Sequence, residues 1–590
     1  MHLKKINLYL LISRSLFLLI SIFFSSCSLL GIHVQVTNPK HASKYPKFSE
    51  TTKLLGSPNT KYRSCFHPYY YTLSVDVHPE KKYLYGTVVL YATALTDIDT
   101  LQIDLYENMK LNFIKLIMPL KEYKCTYSRK YGAVFVVPSR RIKSGEKFEL
   151  LIDYEGSPLV ARKPPWKGGF VWGKDKEKNP WIGVACETEG ASLWWPCKDV
   201  NNDEPDSVCI NITVPKNLVA ISNGQLREKT EGASSTDTGV HGDVTTYKWF
   251  VSYPINLYDV TLYVGKFKLL ADSVKMPSGK ILNLNYYVLP VDYEKAKVHF
   301  QQVKTQIPFY EKTFGEYPWY RDGYKLVESP YEGMEHQTAI AYGNGYQTGY
   351  NGFDYIILHE SAHEWWGNCV SAADFADVWL QEGFATYAEA LFVESTQGRN
   401  AYLNYLLVYR LFIQNKYPVV GPTGYRYFDY RNSDCYQKGA WVLHTMRTQI
   451  SNDTVFFDIL KSFQTKFKLK TVSSKDFINV VNEKTGDDYT WFFNQYLYKR
   501  EAPFLEYYWD KTNFYYRWKY VDSTFKMPAE IALDGLVKIT LKPTKKIQKM
   551  EIDGKAYKEI NFNNYTELFG ITENKKLKKK NKRTIGVPNF

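Results

Sequence analysis

Two histidines stand four residues apart in the run LHESAHEWWGN, from Leu358 to Asn368, and this spacing constrains the backbone that carries them. On a helix, positions i and i+4 lie on one face about one turn apart, where both rings can share a metal ion. Tyr355, Leu358, Ala362, Trp365 and Cys369 recur beside them at helical spacing. Such a helix packs through that apolar stripe while presenting His359 and His363. Glu360 then projects beside the metal, where it can take a proton from bound water. Taken alone the pattern is of moderate specificity, because two histidines on a partly buried helix can simply hydrogen-bond to their neighbours.

A second stretch sharpens it. VWLQEGFATYAEALFVE, from Val378 to Glu394, reads as an amphipathic helix with Leu380, Phe384, Tyr387, Ala388 and Leu391 on one side. Glu382 lies near its start and Gly383 follows. A glycine inside a helix costs about 1 kcal/mol relative to alanine, so it implies a packing reason, such as close approach to the first helix. Eighteen residues, 364 to 381, separate His363 from Glu382. Two histidines and one carboxylate make a tetrahedral site with one open position, the arrangement of a catalytic zinc.

The 590 residues predict about three or four domains at roughly 150 residues each. Short strand-like runs fill residues 61–265, among them YLYGTVVLYATA (Tyr83 to Ala94) and VCINITV (Val208 to Val214), and these predict a β-sandwich. Helical patterns dominate 266–500, starting at Tyr293. Residues 501–570 return to short strands, with YYRWKYV and VKITLKP, and 571–590 form a basic tail. The excess of Lys and Arg over Asp and Glu gives +14, part of it in the run from Lys575 to Arg583. Such a run reads as a solvated tail, or as a weak attraction to anionic headgroups. No nucleic-acid module is recognisable, so no nucleic-acid partner is expected.

Lys4, Lys5 and Arg14 precede an apolar core, Ser15 to Phe24, too short to span a bilayer. The stretch FFSSCS then resembles a bacterial lipobox. Residues 1–27 are therefore expected to be a lipoprotein signal peptide, with Cys27 lipidated and 28–60 a linker. Phe24 departs from the usual aliphatic residue, and plain secretion is the alternative. The lipidated chain would sit on a membrane facing the periplasm or cell surface. Seven further cysteines remain, an odd number without a CxxC pair, so at least one is free or bonded to another chain.

HExxH-x18-E, with the flanking HEWWGN and WLQEGFATY, strongly resembles the M1 aminopeptidases, zinc enzymes of the gluzincin group. The resemblance covers roughly residues 65 to 500. It implies a saddle-like N-terminal β-sandwich, a thermolysin-like α+β zinc peptidase domain and, here, only a short β-like C-terminal segment. It implies one zinc ion per chain held by His359, His363 and Glu382, with Glu360 as general base. SPYEGMEHQTAI (Ser329 to Ile340) is similar to the family's G-x-M-E-N segment, in which Gly333, Met334 and Glu335 would bind substrate, Glu335 taking the free amino group. Glu332 stands where glycine is usual and His336 where asparagine is. Read without the family, Glu335 is a solvent-exposed loop acid. DCYQKGAWVLHTMR (Asp434 to Arg447) is similar to the segment whose tyrosine, here Tyr436, hydrogen-bonds the oxyanion. ACETEGASLWWPC (Ala185 to Cys197) places Glu187 where the family reaches toward the substrate amine. The implied activity is hydrolysis of the N-terminal peptide bond of peptides with a free amine. A zinc endopeptidase and an inactive, surface-anchored peptide-binding protein are the rivals.

Overall fold

The computed structural model describes residues 36–40, 45–56, 60–119, 121–233, 243–427, 429, 431–563 and 565–578. The expected signal peptide, Cys27 and the end of the basic run lie outside these. At the centre of the N-terminal domain, strand Phe66–His78 pairs antiparallel with Tyr83–Ala94, Phe66 opposite Ala94, and parallel with Ser207–Pro215. These belong to a ten-stranded sheet, and a four-stranded sheet that includes Pro180–Ala185 and Leu262–Gly265 shares its core. Alternate residues of the long strands turn inward, as period-two burial requires.

The second domain opens on a five-stranded sheet ordered Lys268–Lys275, Ile281–Val288, Tyr324–Glu328, Ile340–Tyr342 and Gly333–Met334. The short strand Gly333–Met334 ends that order and pairs antiparallel through Gly333–Tyr342. Helices Tyr355–Ala362, Trp379–Gln397, Arg399–Arg410 and Gln437–Ile450 then build the body around it.

Two expectations are corrected at the ends. Residues 36–56 do not behave as a linker. Val36 is buried, the Asn38 amide exchanges two hydrogen bonds with the Ala502 backbone (2.9 and 3.0 Å), and Asn415 donates to the Thr37 carbonyl. Tyr45 stacks on Tyr417 at 4.5 Å and Phe48 on Tyr425 at 4.3 Å. A helix, Glu50–Gly56, follows, and its Leu55 carbonyl accepts from the buried Arg63. These polar-looking residues dock because their aromatic and amide groups meet partners hundreds of positions away. Nor does the basic tail begin at 571. Strand Gly570–Glu573 pairs parallel with Phe504–Trp509, Leu577 is fully buried, and Lys578 pairs with Asp510 at 2.7 Å. The C-terminal segment is a module of one four-stranded and one three-stranded sheet, and Trp518, Phe525 and Phe569 join the catalytic core.

Candidate active site

Asp354 starts the histidine helix by accepting from the Ile356 amide at 3.0 Å, an N-cap that satisfies an orphan donor. The regular helix ends at Ala362, but His363 keeps helical torsions (φ −64°, ψ −21°), so its ring stays on the face of His359. Leu358, Ala362, Trp365 and Cys369 are buried as the stripe predicts. Tyr355 is not: it is 42% exposed and forms part of the cleft wall.

The second helix is buried all round from Trp379 to Val393, so its polar side meets the site rather than solvent. Glu382, Thr386 and Glu389 recur along that side and line the cleft. Gly383 owes its identity to a different neighbour from the one expected. A Cβ there would lie 2.9 Å from the Cys435 carbonyl oxygen and 3.0 Å from Gly439 Cα, so the close approach is to the helix that follows Tyr436.

The expected metal ligands come together. His359 Nε2 and His363 Nε2 are 3.2 Å apart, and Glu382 Oε2 lies 3.3 and 3.5 Å from them. A tetrahedron with zinc–ligand bonds of about 2.0–2.1 Å has edges of about 3.3–3.4 Å, so the donor set fits zinc. The other ring nitrogens fix the tautomers: His359 Nδ1 donates to Glu389 at 2.7 Å and His363 Nδ1 to the Trp366 carbonyl at 2.8 Å. Both Nε2 atoms are then left to face one point, where they can bind a cation. Burial alone would lower the His363 pKa, yet Glu335 and Glu382 carry it up to about 9. The surroundings favour positive charge.

Beside this point three carboxylates, Glu187, Glu335 and Glu382, bring oxygens within 4.8 Å of one another. Glu335 is 3% exposed, contrary to its reading as a solvated loop acid, because strand Gly333–Met334 carries it inward. Tyr258 donates to its Oε1 at 2.8 Å and Gln381 donates to Tyr258. Glu187 is buried with Oε1 unpartnered. Burial raises the pKa of both Glu187 and Glu335, and each other acid nearby adds to it. A bound ammonium would relieve that repulsion. Burial also lifts Glu360 to about 8, against the pull of His359 and His363. Gly333 lies close against the base: a Cβ there would come within 2.5 Å of Glu360 Oε1, so a larger residue would push the Glu360 carboxylate aside. Met334 is buried and lines the same cavity, which measures about 310 Å³. Tyr436 stacks its ring along His359 at 6.0 Å and donates to Glu382 Oε1 at 2.9 Å.

Two further residues support the site: Glu389, which the sequence reading did not single out, and His336, noted there only as a departure from the family's asparagine. Glu389 orients His359 and also accepts from Tyr405 and Tyr409. Its position seven after Glu382, on the same helix side, was the available signal. His336 is fully buried against Tyr263 at 2.7 Å, and burial depresses its pKa to about 3.

Residues 298–496 match the model of the peptidase family M1 domain. The chain is 25% identical over 372 residues to aminopeptidase B of Mus musculus, covering 59% of this chain and 52% of that protein. It is 26% identical over 264 residues to a leucyl aminopeptidase of Saccharolobus solfataricus, covering 42% and 30%. It thus spans about half the length of the mouse relative, and less of the archaeal one. Among solved structures, an M1 zinc metallopeptidase from Deinococcus radiodurans superposes with a TM-score of 0.62 at 22% identity, covering 74% of this chain and 94% of that one. A two-domain M1 zinc metallopeptidase mutant bound to L-tryptophan gives 0.62 at 22%, covering 74% and 95%. These likenesses show that the chain shares the two-domain fold of those structures, a β-rich domain followed by a helical one.

Proposed function

We propose that this chain, whose residues 298–496 match the peptidase family M1 domain, is a zinc-dependent aminopeptidase that removes the N-terminal residue of peptides. The observation that carries the reading is the pairing of a three-donor tetrahedral site with a ring of three carboxylates beside it.

His359, His363 and Glu382 would hold a zinc ion, which would supply Lewis acidity that lowers the pKa of water from 15.7 toward about 7. Glu335 and Glu187 take the substrate ammonium by charge-assisted hydrogen bonds, which fixes the first peptide bond opposite Glu360. Glu360 removes the proton from the attacking water and returns it to the leaving nitrogen. Tyr436 turns its hydroxyl to the carbonyl oxygen as negative charge develops there. One such donor is typically worth about 3–4 kcal/mol. Gly333 and Met334 border the substrate backbone along the edge of the sheet.

Aminoacyl fluorogenic substrates run beside N-acetylated controls test this directly. Free-amine substrates should be cleaved at least about a hundredfold faster, and chelation should abolish turnover. Comparable rates on acetylated peptides would promote an endopeptidase instead. Export and lipid attachment through Cys27 complete the reading, supported by the basic, apolar and SSCS stretches of the N-terminus. A fatty-acid analogue should label the wild type, and Cys27→Ser should move it to the soluble fraction. An unlabelled wild type would remove the lipid claim and leave the enzyme claim untouched.

A further inference from the structure

We propose that Glu332 selects substrates carrying lysine or arginine just beyond the scissile bond. The inference rests on the aminopeptidase reading above and extends it to the leaving side of the substrate. The segment from Glu332 to Glu335 runs along the cleft wall and includes the edge strand Gly333–Met334. Glu335, buried and bonded to Tyr258, closes one end, where the amine is anchored. Gly333 lies against Glu360, so bond breaking falls beside it. Glu332 comes next, beyond the base and away from the anchor. An extended chain advances about 3.3 Å per residue, so Glu332 stands one residue beyond Gly333 and faces the first substrate residue past the bond that Glu360 attends.

Its surroundings suit recognition of a cation. Glu332 is half-buried in the wall, and the Tyr355 hydroxyl at the rim donates to its Oε1 at 2.5 Å. A carboxylate held in this way keeps its place and loses little freedom on meeting a guanidinium or ammonium. Among the described residues that line the cleft, none is a lysine or arginine, so no side chain of the wall competes for that carboxylate. A +14 chain therefore carries a locally negative cleft, where low-dielectric walls focus the field on incoming cations.

The test compares kcat/KM for two tetrapeptides, Leu-Arg-Ala-Ala and Leu-Glu-Ala-Ala, on the full chain. The wild type should prefer the first by at least about tenfold, and less so in 0.5 M salt, where screening is stronger. Glu332→Gln, nearly isosteric, should bring the ratio below about threefold, and Tyr355→Phe should give an intermediate value. Glu332→Arg should invert it. A wild-type ratio near one, or a ratio unchanged in Glu332→Gln, would overturn the assignment. Acetylated versions of both peptides keep the two readings apart. Equal rates with and without the acetyl group overturn the amine anchor, while the Arg-to-Glu ratio still reports on Glu332.

Discussion

In the proposed mechanism Glu360 moves the proton while His359, His363 and Glu382 would hold the metal, so single substitutions should separate the two roles. Glu360→Gln keeps the shape of the side chain and removes the proton acceptor. It should retain about one zinc per chain by metal analysis while kcat falls by about a thousandfold or more, in keeping with the 10²–10⁴ typical of general acid–base catalysis. A fully active variant would reassign the base. His336 makes a prediction about pH. Its folded pKa is about 3 against 6.5 for the free side chain, so between these values the unfolded chain binds more protons than the folded one. The stability this confers is complete above about pH 6.5 and is lost as pH falls toward 3. At pH 5 the loss is about 2 kcal/mol, from 1.5 pH units at 1.36 kcal/mol each. His336→Asn should therefore flatten the fall in Tm between pH 7 and 5, with Tyr263 still offered a partner. An unchanged slope would show that another group dominates acid unfolding.

At the scale of elements, the histidine helix was legible because its information is local: one spacing and one apolar stripe. Tyr436 was reached only through the family resemblance of the short motif around it. The approach of Gly383 to Gly439 was not, because a glycine announces a close neighbour without saying which. Nor was the N-terminal strap, since Tyr45 and Tyr417 are 372 positions apart and neither carries a periodic signal. That strap matters for chemistry. Tyr45 and Phe48 pack on Tyr417, Tyr425 and Tyr427, in the loop that leads to Tyr436, and Arg426 of that loop reaches Asp199 of the β-domain at 2.7 Å. Each aromatic pair is worth about 0.5–1.5 kcal/mol beyond its buried area. Tyr45→Ala with Phe48→Ala should lower kcat about tenfold, leave KM within twofold, and expose residues 411–436 to limited proteolysis. Wild-type kcat in that variant would make the strap irrelevant to Tyr436.

For the whole molecule, the short C-terminal module behaves as part of the catalytic core rather than as an appendage. Arg410 donates to the Phe569 carbonyl at 2.8 Å, Tyr496 to that of Leu568 at 2.8 Å, and Thr448 to that of Thr566 at 2.9 Å. A chain ending at residue 500 would take these acceptors from Arg410 and Tyr496 and open to water the apolar face that packs on Trp518 and Phe569. Exposed apolar surface costs about 25 cal/mol per Å². That truncation should be insoluble or melt well below the full chain, whereas removal of residues 579–590 should leave Tm unchanged. A soluble, active chain ending at 500 would show the module to be separable. The docking of the first described residues has a consequence of another kind. From Cys27 to Val36 is nine residues, at most about 30 Å of chain. With a lipid on Cys27 the enzyme would be held with its junction near Ala502 and Asn415 within about 30 Å of the bilayer. Its effective substrate pool would then be the thin layer of peptides gathered at the membrane surface.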